Sequence, residues 1–479
     1  MSRVPRALPA DARYPAAAGA AAATRPDPAP RPATGYRPTW TDPLDGAARL
    51  FASLYGDSFR HVPGLGWYRW SGHRWQPDAE GAALWAAGEM ADALTAPAFE
   101  HRGAPLLHGL SENVLSTDGI TGLLDRARHL PGLAAPASRL DSDPYALCTP
   151  AGVVDLRTGT LTAPEPHGHL HSRSTSVGPA DTPTPRWNRF LADTFGEDAA
   201  GRETTGFLHL LLGRSLTGRA EQQVMPFLVG SGKNGKSVLT DVLMKLLGDY
   251  ADAAPPGFLM TRPFDEHPTT LAELHGRRII VCTEPDPEDR FDEARVELLT
   301  GNGPVTAHRM RREPFTFTPT HTLWLLGNHL PRVANGGDAF WRRMRLIPFP
   351  NVVPDERKID NLAGVLVAEE GPGILNWLID GARRYLGGDK DLTGPAGVRT
   401  ATTAYAETED HTARFLDQHL AAADDPAART RLYRTYQDWC GTEDAAPVPR
   451  RTFAARVDQT LSTVRGTGPR TTDPRGGTR

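Results

Sequence analysis

The chain has 479 residues, and its 53 lysines and arginines against 57 aspartates and glutamates leave a formal net charge of -4. That length allows two to four domains with real cores, while the charge balance excludes a broad basic face, so any contact with nucleic acid must be local. Cys148, Cys282 and Cys440 stand far apart, which argues against a disulfide framework or a zinc site and fits a reducing cytoplasm. No run of about eighteen apolar residues suggests a membrane span, and the alanine-rich N-terminus lacks the apolar core of a signal peptide.

Residues 1–42 are rich in Ala, Pro and Arg. Such a segment buries too little apolar area to offset its ordering entropy and reads as a disordered arm. Spacing predicts a helix over Ala47–Tyr55, stopped by Gly56. Trp67–Trp75 predicts a hairpin turning at Ser71-Gly72. Its interleaved aromatic and basic residues allow a base-stacking platform, although spacing alone favours a small aromatic core. Helices are expected over Ala82–Leu94 and Thr121–Leu130, and a second hairpin over Val153–Leu161. The Pro/Thr-rich stretch 179–185 predicts a boundary, closing an N-terminal α+β domain of residues 45–183. Helices over Trp187–Phe195 and Thr204–Leu216 open the next unit, 184–390.

The strongest motif lies inside that unit. Phe227-Leu228-Val229 reads as a buried strand and Val238–Leu247 as a helix. Between them stands Gly230-Ser231-Gly232-Lys233-Asn234-Gly235-Lys236-Ser237, a full phosphate-loop pattern in its proper strand–loop–helix setting. Glycines let successive N–H groups face phosphate oxygens, and the new helix adds its positive end. Lys236 is expected to reach the β/γ-phosphates, and the Ser237 hydroxyl to ligate Mg²⁺. The expected chemistry is binding and hydrolysis of a nucleoside triphosphate in a P-loop α/β core.

An apolar strand over Ile279–Cys282 runs into Thr283-Glu284. Glu284 is the candidate for polarising the attacking water and for holding Mg²⁺, with Asp286 next in line. A strand through Thr320–Asn328 ends in a polar amide suited to sensing the γ-phosphate. Between these strands, Pro304–Phe317 predicts a hairpin whose tip carries Arg309, Arg311 and Arg312, a local DNA-backbone contact. Arg342 and Arg343 precede a further apolar strand and could supply transition-state charge to a neighbouring site. Residues 405–465 form a last small unit of helices, with Tyr433, Tyr436 and Trp439 on one face and Arg450-Arg451 opening the final helix. The tail 466–479 is Gly/Thr/Arg-rich and reads as disordered.

Together the phosphate loop, Glu284, Leu299-Thr300-Gly301, the basic hairpin, Gly327–Pro331 and Trp341-Arg342-Arg343 resemble the superfamily 3 helicases. The likeness is to the poxvirus-type branch of phage and plasmid replication proteins, and extends over roughly residues 45 to 465. It also takes in Val153–Gly159, Gly213–Gly218 and Gly373–Trp377. The resemblance implies an AAA+-like core, hexameric rings and ATP-driven translocation on single-stranded or forked DNA. It further implies Asn328 as sensor, Arg343 or Arg342 as a finger acting across subunits, and a winged-helix-like C-terminal domain. Glu297 stands where the family has Lys, and Gly303 where it has Asp. These departures keep open a second expectation, an ATPase of the same core acting as a DNA-binding or assembly factor without processive unwinding. No paired-carboxylate strand motif or zinc knuckle of a primase is read upstream in the chain, so the expectation is that a separate primase or polymerase does the priming or that priming is not needed.

Overall fold

The computed structural model describes residues 43–95, 116–168, 170–262, 269–283, 286, 288–308, 314–333, 336–354, 356, 358–388, 390–423, 429–442 and 447–466. The arm 1–42 and nearly all of the tail therefore lie outside the described residues.

The first unit comprises α1 (Pro43–Tyr55), β1 (Phe59–Val62), β2 (Gly66–Trp70), β3 (Trp75–Pro77), α2 (Ala82–Thr95) and α3 (Thr117–Ala127). The tryptophan hairpin forms with Trp70 opposite Trp75, and β1 extends it into a three-stranded antiparallel sheet. Trp75 is fully buried, 5.3 Å from the Trp70 ring, with the Arg60 guanidinium 4.6 Å from its own ring centroid. This tryptophan therefore serves the core. The helices pack through Ala47, Phe51, Ala87, Met90 and Leu123. Helix α3 starts a turn earlier than apolar spacing suggests, because Ser116 accepts the Gly119 N–H at 3.0 Å and caps a polar first turn.

A second antiparallel sheet follows, from β4 (Ala146–Thr149), β5 (Gly152–Asp155) and β6 (Thr160–Thr162). Its Leu147 and Val154, with Leu156 just beyond, join the same apolar cluster as the helices over the central sheet. Packing thus continues across the 179–185 segment.

The central unit runs through α4 (Pro185–Phe195), α5 (Ala199–Leu216), β7 (Met225–Val229), α6 (Lys236–Leu247), β8 (Ala251–Ala253), α7 (Thr269–Glu273) and β9 (Ile279–Thr283). It continues with α8 (Glu293–Thr300), β10 (Val305–Ala307), β11 (Phe315–Phe317), β12 (Thr322–Gly327), α9 (Asp338–Trp341), β13 (Met344–Pro348) and α10 (Leu362–Leu386). Five strands form one parallel sheet in the order β13-β7-β12-β9-β8. Both of its faces are covered, as all-parallel strands require. On one face Leu228, Trp324 and Ile347 meet Leu211, Leu243 and Leu375, and on the other Phe227, Leu325 and Leu346 meet Val296, Leu299 and Phe340.

Helix α10 is, by length and composition, apolar enough to cross a membrane, although Glu369 and Glu370 interrupt it and leave no continuous apolar run of eighteen residues. Half of that window is buried. Leu366, Ile374, Leu375 and Leu378 pack in the core, and the Glu370 carboxylate accepts the Arg186 and Trp187 N–H groups at 2.8 and 2.9 Å, capping α4. Its apolarity is accounted for by a core position.

Helix α11 (Ala396–Glu409) leads to α12 (His411–Ala423), α13 (Arg429–Thr442) and α14 (Arg450–Gly466), which pack around Phe415, Tyr436 and Phe453. The Tyr436 hydroxyl meets His411 Nε2 at 2.8 Å and Thr412 Oγ1 at 3.0 Å. Among its described residues this last unit is entirely helix and coil.

Candidate nucleotide site

The loop between β7 and α6 has the shape its sequence demands. Gly235, immediately before α6, has φ +89, and a Cβ there would stand 2.9 Å from Phe190 Cε2. A Cβ on Gly230 would stand 2.0 Å from Asn234 Nδ2 and 2.7 Å from the Phe349 carbonyl. Lys233 holds a left-handed φ of +51, an uncommon conformation for a residue with a side chain. The loop is fixed from its neighbours as well. Asn234, 2% exposed, donates to the Phe349 carbonyl at 3.1 Å, and the Val353 N–H donates to the Lys233 carbonyl at 2.9 Å.

Lys236 opens α6 and is buried inside this turn. Its ammonium donates to the Gly230 carbonyl at 2.8 Å, to Asn234 Oδ1 at 3.0 Å and to Asn328 Oδ1 at 3.0 Å. Asn328 follows β12 and is exposed, and Ser237 beside Lys236 is exposed too. The structure thus gathers a cation, a hydroxyl, an amide and a helix N-terminus at the carboxyl edge of the sheet. That donor set suits a polyphosphate and a metal ion carried largely by phosphate oxygens and water. It fits the chemistry expected of ATP and Mg²⁺. No group of three or more His, Cys, Asp or Glu able to hold a metal occurs among the described residues.

The topology sets which strand ends meet. β12 lies between β7 and β9, with Leu326 in register with Leu228 on one side and Thr283 on the other. The carboxyl end of β9 therefore reaches the same level as the phosphate loop. Glu284 itself lies outside the described residues. Asp286 is exposed, and its N–H donates to Asp289 Oδ2 at 2.9 Å.

Two residues of the Gly213–Gly218 motif lock α5 onto β12. The Ser215 hydroxyl accepts Trp324 Nε1–H at 3.2 Å, and the buried Arg214 donates to Thr322 Oγ1. Burial lowers the Arg214 pKa. The motif thus positions the strand that presents Asn328.

The arginine pair lies elsewhere. The Arg343 carbonyl accepts the Met225 N–H at 2.7 Å, at the amino edge of β13 and β7. Four residues of strand, roughly 13 Å, separate that edge from the phosphate loop. Arg343 is 5% exposed; its Nε donates to Thr300 Oγ1 at 3.0 Å, and its Nη1 to the Ala339 carbonyl. Burial lowers its pKa, and the Glu297 carboxylate opposes that shift. Arg342 is exposed and donates to Gln223 Oε1 at 3.3 Å. Neither side chain is gathered with Lys236.

The hairpin exists as β10 paired with β11, Val305 opposite Phe317. Arg309, Arg311 and Arg312 lie outside the described residues. A Cβ on Gly303 would meet nothing within 4 Å, so space does not explain the departure there.

The sequence reading missed the wall beside the loop. A cavity of roughly 820 Å³ is lined by Arg186, Phe190, Thr194, Asn351, Val352 and Ile359, among others. Its members come from α4 and from the segment after β13, more than 150 residues apart. Only the fold brings them to the phosphate loop, and no local pattern marks them.

Comparisons with known proteins bear on the same regions. Residues 48–196 match the family described as D5 N terminal like, and residues 228–343 match a family of unknown function, DUF5906. A protein of Acanthamoeba polyphaga mimivirus named as a helicase is 28% identical over 216 residues, 44% of this chain and 22% of its own length. A Frog virus 3 protein named as a helicase is 23% identical over 357 residues, covering 68% of this chain and 34% of that protein. A protein of African swine fever virus named as a primase is 20% identical over 346 residues, covering 67% and 36%. The chain spans about a third or less of the length of these relatives. Among solved structures, the apo C-terminal region of NrS-1 aligns with a TM-score of 0.49 at 12% identity, covering 80% of this chain and 79% of that one. At this low identity, the sequence similarities support a relation to the D5-like primase–helicase proteins of viral replication.

Proposed function

We propose that this chain is an ATP-dependent DNA helicase of the superfamily 3 type, from the branch found in phage and plasmid replication. In this reading the parallel sheet is an AAA+-like P-loop core that works as a ring, a hexamer, on single-stranded or forked DNA. The observation that carries it is the contact between Lys236 Nζ and Asn328 Oδ1 at the carboxyl edge of a sheet ordered β13-β7-β12-β9-β8. It puts the phosphate-loop cation and a polar strand-end amide on one point in space, where a γ-phosphate would be sensed.

ATP with Mg²⁺ supplies the hydrolysable phosphoanhydride. Lys236 would neutralise β/γ-phosphate charge, Ser237 and Glu284 would hold the metal, and Glu284 would polarise the attacking water. The Phe190–Ile359 cavity would receive the base. Of the two arginines, both far from the loop of their own chain, the exposed Arg342 would act on a neighbour's nucleotide, while the buried Arg343 would hold the strand beneath it. The hairpin tip, with Arg309, Arg311 and Arg312, would follow the DNA backbone, and Arg450 and Arg451 of a winged-helix-like unit would add phosphate contacts. The cytoplasm would be the site of action.

The test is strand displacement on forked DNA with ATP, run beside phosphate release. Unwinding that depends on ATP supports the helicase. Robust DNA-stimulated hydrolysis with no displacement on any fork would favour the other reading, a replication or excision assembly factor.

A further inference from the structure

Outside the nucleotide site, the most solvent-exposed large apolar side chain among those described is Trp85, at 74%. It stands on α2, whose inner face buries Ala83, Ala87, Met90 and Ala91. The ring contributes little to that core, and an indole left in water forgoes the burial that makes tryptophan a strong anchor. Beside it runs a groove of roughly 650 Å³ lined by Tyr55, Arg69, Trp70, Gln76, Trp85 and Glu89, among others.

The chemistry of this lining is specific. Aromatic faces, an amide, a guanidinium and a carboxylate offer stacking together with donors and acceptors for a planar heterocycle. Its charged groups are one arginine and one glutamate, so the groove carries no net charge. A phosphate backbone would want an excess of cations, whereas a base needs none. The volume lies within the range of small-ligand sites, roughly 300–1,000 Å³. We infer that this groove takes an unpaired nucleobase of a single strand, stacked on Trp85. The inference rests on the helicase reading only for the source of that strand.

The test uses the full chain with no nucleotide added. A labelled oligothymidylate and its abasic counterpart of equal length are titrated into wild type, Trp85→Ala and Trp85→Phe. The expected result is that Trp85→Ala binds oligothymidylate about tenfold more weakly, as loss of one stacked base predicts, with abasic affinity unchanged. Trp85→Phe should recover most of the loss, which a merely structural role would not require. Equal base-containing affinity in Trp85→Ala and wild type would overturn the inference. A drop in particle mass with strand affinity intact would also overturn it, by assigning the groove to a second copy. Because ATP is absent, base discrimination through Trp85 in a chain that never unwinds would spare this inference while removing the helicase reading.

Discussion

Lys236 and Asn328 are 92 residues apart in sequence, yet the Lys236 ammonium donates to Asn328 Oδ1 at 3.0 Å. One opens the helix after β7 and the other directly follows β12, the neighbouring strand. Lys236→Ala should abolish ATP hydrolysis and weaken nucleotide binding. Asn328→Ala should bind nucleotide but turn it over roughly 10²-fold more slowly, the usual cost of one preorganised polar group at developing charge. Phosphate release and nucleotide titration check both. Wild-type turnover in Asn328→Ala would remove it from the site.

Glu284→Gln should retain nucleotide affinity and lose turnover, since the amide keeps the shape but cannot polarise water. If hydrolysis persists at the wild-type rate, the base must be sought elsewhere, first at Asp286.

The two arginines should separate by mechanism. Arg343→Ala removes a buried guanidinium and its bond to Thr300, and should lower stability by about 2 kcal/mol in urea unfolding. Arg342 is exposed, so Arg342→Ala should fold normally and lose hydrolysis. Mixing it with Lys236→Ala should restore some activity, through interfaces that pair an intact loop with an intact arginine. Mixed assemblies with no recovered hydrolysis at any ratio would rule out action across subunits.

Changing both Arg311 and Arg312 to Ala should weaken single-strand binding and stop unwinding. Each lost phosphate contact should flatten the slope of log affinity against log salt by about 0.7. A double variant with unaltered affinity and salt slope would return DNA binding to other segments.

His321, just before β12, is buried, and burial lowers its pKa to about 4 from the ordinary 6.5. The folded state therefore disfavours the proton. The stability it permits is present in full above pH 6.5 and falls as pH drops toward 4, by up to ~3 kcal/mol. His321→Leu should flatten that part of the urea-midpoint profile against pH. A profile as steep as wild type would assign the acid sensitivity to other groups.

The individual strands, turns and helices were legible from local residue chemistry. The run Phe227–Ser237 specified strand, loop and helix, because its glycines and apolar periodicity admit little else at those positions. Spacing likewise marked β9, β12 and the β10–β11 hairpin within a residue or two. Which strand ends meet follows from the order in which the sheet is assembled. Placing β12 between β7 and β9 brings Asn328 to Lys236, a pairing that depends on strand order and leaves no mark in either local segment. Tertiary packing also separated Arg342 from Arg343, neighbours of identical chemistry, by burying one against Thr300 and leaving the other in water. And it turned Trp75 inward while leaving Trp85 out, because a sheet pair and a helix face expose a tryptophan according to what packs behind it.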